Sequence, residues 1–122
     1  MSRVLIVDDE PDLLLMLRLS LEAVGFETGL AADGEIALQR MHVEHFDAVI
    51  LDVMMPVLDG WSVLGALHDD PSAPPVIVLS AGAAPQDRAR AESLGAAAYV
   101  TKPFNLDGLI VQLHAVLAGP SP

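Results

Sequence analysis

Five apolar runs of strand length recur along this chain: RVLIV at 3–7, FETGLAA at 26–32, DAVIL at 47–51, PVIVL at 75–79 and AAYVT at 97–101. Longer segments with helical punctuation separate them. Pro11 suits the first turn of a helix reaching about Val24, with Gly25 just past its end. Asp33-Gly34 opens a second helix, Asp59-Gly60 a third, and Pro85 a fourth that ends before Gly95. Asn105 can cap a fifth that runs to about Leu117. The first, third and fourth runs are continuously apolar rather than alternating, which marks strands covered on both faces. Alternation of such strands with helices implies an α/β fold: a five-stranded parallel sheet sandwiched between helices.

The 122 residues fit one domain over 1–118, and the closing GPSP at 119–122 reads as a tail or the start of a linker. Aromatics are only 4% of the chain, so the core must be aliphatic. The absence of cysteine removes disulfides, thiolate metal sites and thiol nucleophiles. A formal charge of -11 repels phosphate backbones and anionic membranes, so direct nucleic-acid binding by this domain is not expected. The apolar run from Val4 to Val7 is too short for a signal-peptide core, and the default location is cytoplasmic.

In an open α/β sheet, function gathers outside the carboxyl ends of the strands. Read at those positions, the first strand ends at Asp8, Asp9 and Glu10, the third at Asp52, the fourth at Ser80, and the fifth at Thr101 and Lys102. Three consecutive acids at the edge of an apolar core repel one another unless a cation joins them. Lys102 is the only lysine in the chain. Carboxylates, a hydroxyl and an ammonium are the parts needed for magnesium-assisted phosphoryl chemistry.

With VDDEP at 7–11, DVMMPVLDG at 52–60, PVIVLSA at 75–81 and AYVTKPF at 98–104, in order and nearly end to end, the chain resembles the receiver domain of two-component response regulators. The resemblance implies a flavodoxin-like (βα)5 fold with strand order 2-1-3-4-5. It implies that Asp52 accepts the phosphoryl group and is also a Mg2+ ligand, and that Asp9 ligates Mg2+ directly. Asp8 would hold the ion largely through water, and the backbone carbonyl of Met54 would add a ligand. Ser80 and Lys102 would bind phosphoryl oxygens, and Tyr99 would report the state by turning inward. The donor would be a sensor histidine kinase or a histidine phosphotransfer protein. The output, through helix 4, strand 5 and helix 5, would act on an effector domain or target protein. Such a domain promotes only its own phosphorylation and dephosphorylation rather than turning over a separate substrate.

Simpler roles suit several of these residues. Glu10 fits an acid at a helix N-terminus, and a tyrosine in a strand is usually ordinary packing. His42 and His45 flank Glu44, but no third ligand has matching spacing, so a solvated helix end is expected. The Leu-rich helix after Pro11 is apolar all round, so part of it must face solvent or a partner. Leu13 and Met16, three apart on that helix, with Pro103 and Phe104, are expected to border the donor's docking surface. The Lys102-Pro103 bond is expected to be cis, turning the ammonium back over the strand edge.

Some features depart from the family. GAAAY at 95–99 lacks the acidic pair, and LDGLIVQLHAVL at 106–117 the basic residue, that winged-helix receivers carry on their dimer face. A haloacid-dehalogenase-type phosphatase would need a second Asp two residues beyond Asp52, where Met54 stands. A flavin carrier would need a Gly-rich phosphate loop in place of the three acids. A degenerate receiver acting only as a binding module would be expected to lack part of the acceptor set, and none is missing. Met54 and Gly82, two positions beyond Asp52 and Ser80, tune the phosphoryl lifetime in the family without revealing it here.

Overall fold

In the computed structural model, residues 2–53, 59–81 and 85–118 are described. The elements alternate along the chain as β1 (Arg3–Val7), α1 (Pro11–Ala23), β2 (Glu27–Ala31), α2 (Gly34–Val43) and β3 (Ala48–Asp52). They continue as α3 (Gly60–His68), β4 (Val76–Ser80), α4 (Pro85–Ser93), β5 (Ala98–Thr101) and α5 (Leu106–Ala118). All strand pairs are parallel and the order is β2-β1-β3-β4-β5, as the resemblance implies.

The strand interiors explain why the sheet is doubly covered. Every residue of β3 and β4 is buried, and successive side chains enter opposite cores. Val49, Leu51, Val76 and Val78 pack with Ala37 of α2, Val63 and Leu64 of α3 and Ala91 of α4. Ala48, Ile50, Ile77 and Leu79 pack with Leu14, Leu17 and Leu21 of α1 and Leu109 and Leu113 of α5. The edge strands β2 and β5 are only partly buried.

Helix punctuation acts as the residue types dictate. Pro11 occupies the first turn of α1, while Asp33, Asp59 and Asn105 accept hydrogen bonds from the Ile36, Ser62 and Gly108 amides. Gly25 lies at φ 99° just past α1. β2 to β5 each start one residue later than the apolar runs at 26, 47, 75 and 97 suggest, whereas Asp52 and Ser80 end β3 and β4 as expected, with backbone hydrogen bonding continuing to Val53 and Lys102.

Gly60 holds the exit of β3 close to the start of α3. A Cβ there would lie 2.3 Å from Val53 Cα and 2.4 Å from the Asp52 carbonyl oxygen, and the Gly60 amide donates to the Val53 carbonyl. Only glycine permits that approach.

Candidate functional site

Register brings the acids together. Val7 of β1 stands beside Leu51 of β3, so the next residues, Asp8 and Asp52, emerge side by side at the carboxyl edge. Asp8 is fully buried and Asp52 is 3% exposed, whereas Asp9 is exposed. One carboxylate oxygen from each of Asp8, Asp9 and Asp52 lies within 4.8 Å of the others.

Lys102 reaches into this cluster from the end of β5. Its Nζ lies 3.2 Å from Asp8 Oδ2, to which it donates a hydrogen bond, and 3.3 Å from Asp52 Oδ2. Burial pushes the ammonium toward neutrality. The Coulomb attraction of Asp8 and Asp52, with hydrogen bonds to both, outweighs that and holds its pKa above the usual 10.5. The other Asp8 oxygen accepts the Glu10 amide at 3.0 Å. Both Asp8 oxygens are thereby occupied, an arrangement that suits an acid acting on an ion through water.

Ser80 is 2% exposed at the end of β4, one residue beyond Leu79, the register partner of Asp52. The Lys102 amide donates to the Ser80 carbonyl at 2.8 Å, which ties the two residues to one edge. The Lys102-Pro103 bond is cis, as expected. Tyr99 lies further back on β5 and is only 8% exposed.

The donor set is consistent with a hard divalent cation. Three carboxylates and one ammonium leave two uncompensated negative charges at a partly buried edge, and oxygen-only ligands suit Mg2+. Met54, the expected carbonyl ligand, lies outside the described residues, as do Gly82 and the 119–122 tail.

On the expected docking surface, Met16 is 42% exposed and Pro103 is exposed. Leu13 and Phe104 are half-buried and pack against the core beneath α1 and α5. Spacing put Leu13 and Met16 on one face without showing that this face straddles the core boundary. Leu15 and Leu19 are more exposed than Met16.

The expected solvated helix end at 42–45 is a salt-bridged corner. Glu44 receives Arg3 at 2.7 Å and Arg40 at 2.7 Å, which draws its pKa down to about 2. Arg3 and Arg40 also lie over the Phe46 ring. Sequence reasoning identified neither Arg88 and Arg90 of α4, whose guanidinium groups cover Tyr99 and Trp61, nor the closeness of Gly60 to Asp52.

A family model described as the response regulator receiver domain matches residues 4–114. The transcriptional regulatory protein PrrA of Mycobacterium tuberculosis is 44% identical over 115 residues, which cover 94% of this chain and 49% of PrrA. The chain spans about half the length of the curated relatives it matches. Among solved structures, the receiver domain of Francisella response regulator 1452 is similar with a TM-score of 0.93 at 32% identity, covering 97% of this chain and 98% of that one. TrrA of Thermotoga maritima, in complex with Mg(2+)-BeF, has a TM-score of 0.85 at 34% identity, covering 95% of this chain and 99% of that one. No described helix is long and apolar enough to cross a membrane.

Proposed function

Because the chain belongs to the response regulator receiver domains, we propose that Asp52 is its phosphoacceptor and that a phosphohistidine of a sensor kinase or phosphotransfer protein is the donor. The observation that carries this reading is the convergence of Asp8, Asp9, Asp52 and Lys102 at one strand edge. In the transfer, the phosphorus–nitrogen bond of the donor breaks as a bond forms to an Asp52 carboxylate oxygen. Asp8, Asp9, Asp52 and the Met54 carbonyl would hold Mg2+, which would supply positive charge where the anionic phosphoryl group meets the carboxylates. Lys102 shifts from Asp52 Oδ2 to a phosphoryl oxygen over a short distance, since its ammonium already lies in the cluster. The Ser80 hydroxyl donates to another, a charge-assisted bond that forms only in the modified state. Tyr99 then records that state at the α4–β5–α5 surface, which changes affinity for its target.

The domain changes its own phosphorylation state and turns over no separate substrate. We place it in the cytoplasm, and we assign the DNA contact expected of a PrrA-like regulator to residues outside this acidic domain.

The test is labelling with acetyl phosphate and Mg2+, read by intact mass. The wild type should gain one phosphoryl group with acyl-phosphate lability, and Asp52→Asn should gain none. Acid-stable labelling, or undiminished labelling of Asp52→Asn, overturns the assignment.

A further inference from the structure

Helix α4 is held to the sheet by fewer buried apolar residues than α1, α3 and α5. Its only buried residue is Ala91, whereas α1 buries Leu14, Leu17 and Leu21 and α5 buries Leu109 and Leu113. Two arginines make up for the missing apolar anchors. Arg90 lies 4.4 Å from the centroid of the Trp61 ring, and Arg88 lies 5.0 Å from the centroid of the Tyr99 ring. A guanidinium is flat and weakly hydrated, so it covers a ring face while its edges stay in water.

The surroundings of Tyr99 leave room for its ring to move. A cleft of about 320 Å3 borders it, lined in part by Thr101 and Phe104, and so does one of about 220 Å3, lined in part by Ala91, Glu92 and Ala98. Arg88, Tyr99 and Gln112 line both clefts. Tyr99 is 8% exposed and belongs to the core cluster of Val63, Leu64 and Ala91, and the Arg88 guanidinium adds cover over the ring.

We propose that Arg88 is a positioning residue that caps the Tyr99 ring and holds it buried independently of the phosphoryl group. The proposal rests on the reading of Tyr99 as the reporter of the modified state. If burial is the position that the modified state favours, the cap biases the switch in that direction in advance. At an exposed site, a cation on a ring shifts such an equilibrium by about two- to five-fold. The apparent affinity for a phosphoryl mimic scales with the fraction already in the competent position, so it shifts by at most that factor.

The chain has one tyrosine, so ring-labelled tyrosine reports on Tyr99 alone. NMR relaxation of that ring by a soluble gadolinium chelate reads its exposure, with and without beryllofluoride and Mg2+. Arg88→Ala and Arg88→Gln should raise ring relaxation in the unmodified protein and weaken beryllofluoride binding by up to about five-fold. Arg88→Lys, which keeps the charge but loses the flat face, should fall between them and the wild type. Ring relaxation in Arg88→Ala and Arg88→Gln equal to that of the wild type overturns the proposal. If the ring becomes exposed in those variants and beryllofluoride does not bury it again, the cap stands and Tyr99 loses its role as reporter.

Discussion

Replacing Lys102 with Met keeps most of the apolar stem and removes the one cation that separates two buried acids. At an effective dielectric constant of 20, the ammonium attracts each of Asp8 and Asp52, 3.2 and 3.3 Å away, by about 5 kcal/mol. Desolvation of the three groups offsets most of that gross attraction, so the intact cluster adds little net stability. Removing one partner is different, because both carboxylates stay buried with oxygens within 4.8 Å of each other. We expect Lys102→Met to lose about 3 kcal/mol at pH 7 in EDTA, the lower end of the range for a broken buried pair.

The pH dependence gives this prediction its sign. In the wild type the Lys102 pKa is raised above 10.5, so its contribution is complete below that value and is lost only as pH climbs through the folded pKa. Between pH 5 and 8 the wild type should show no slope from this group. In Lys102→Met the folded state relieves its repulsion by binding a proton that the unfolded chain does not hold. Stability then falls as pH rises, and the deficit at pH 5 should be smaller than at pH 7 by about 1 kcal/mol or more. Urea titrations followed by the fluorescence of Trp61, the only tryptophan, measure both values. Added Mg2+ should recover part of the loss at pH 7. A deficit below about 1 kcal/mol at pH 7, or one that does not vary with pH, would refute the reasoning.

Gly60→Ala must push apart the exit of β3 and the start of α3, and it should cost about 1–3 kcal/mol in urea titrations while slowing acetyl phosphate labelling of Asp52. Normal labelling in that variant would show that the loop yields without moving the acceptor. Glu44, with its pKa lowered to about 2, adds stability above the ordinary 4.5 that disappears as pH falls through 2. Thermal melts of Glu44→Gln should therefore show a flatter acid limb across that window than the wild type. Met16→Asp should slow phosphotransfer from the donor protein and leave acetyl phosphate labelling intact, because Met16 is 42% exposed on α1 and is not one of the clustered acids. Equal loss with both donors would remove α1 from the docking surface.

The fold was legible because burial on both faces leaves a strand no polar positions, so β1, β3 and β4 stand out as unbroken apolar runs. The site was legible for the complementary reason. A parallel sheet ends all its strands at one edge, so acid, hydroxyl or amine after four apolar runs must converge even though Asp8 and Lys102 are far apart in the chain. The limits appear where a contact depends on helix placement rather than on strand register. Leu13 and Met16 share a face by their spacing, but whether that face meets α5 or solvent depends on how α1 rolls on the sheet. Gly60 reads as turn punctuation, while its necessity comes from a carbonyl delivered by β3.

Arg88 and Arg90 are the sharpest case. In the segment PQDRARAES they read as the solvated face of a polar helix, and nothing local distinguishes them from Arg18, which pairs with Glu22 one turn away on the exposed side of α1. Their partners come from other elements, Trp61 at the start of α3 and Tyr99 in β5, and only the packed α/β sandwich brings the rings beneath them. Long cationic side chains can act as apolar cover as well as solvated charge. A helix poor in buried residues can therefore be anchored by groups that any hydrophobic pattern counts as surface. Such an anchor is weak compared with a row of buried leucines. That weakness suits α4, which borders Tyr99 and the proposed output surface, because an element that must shift in response to one phosphoryl group has to be held by energies of similar size.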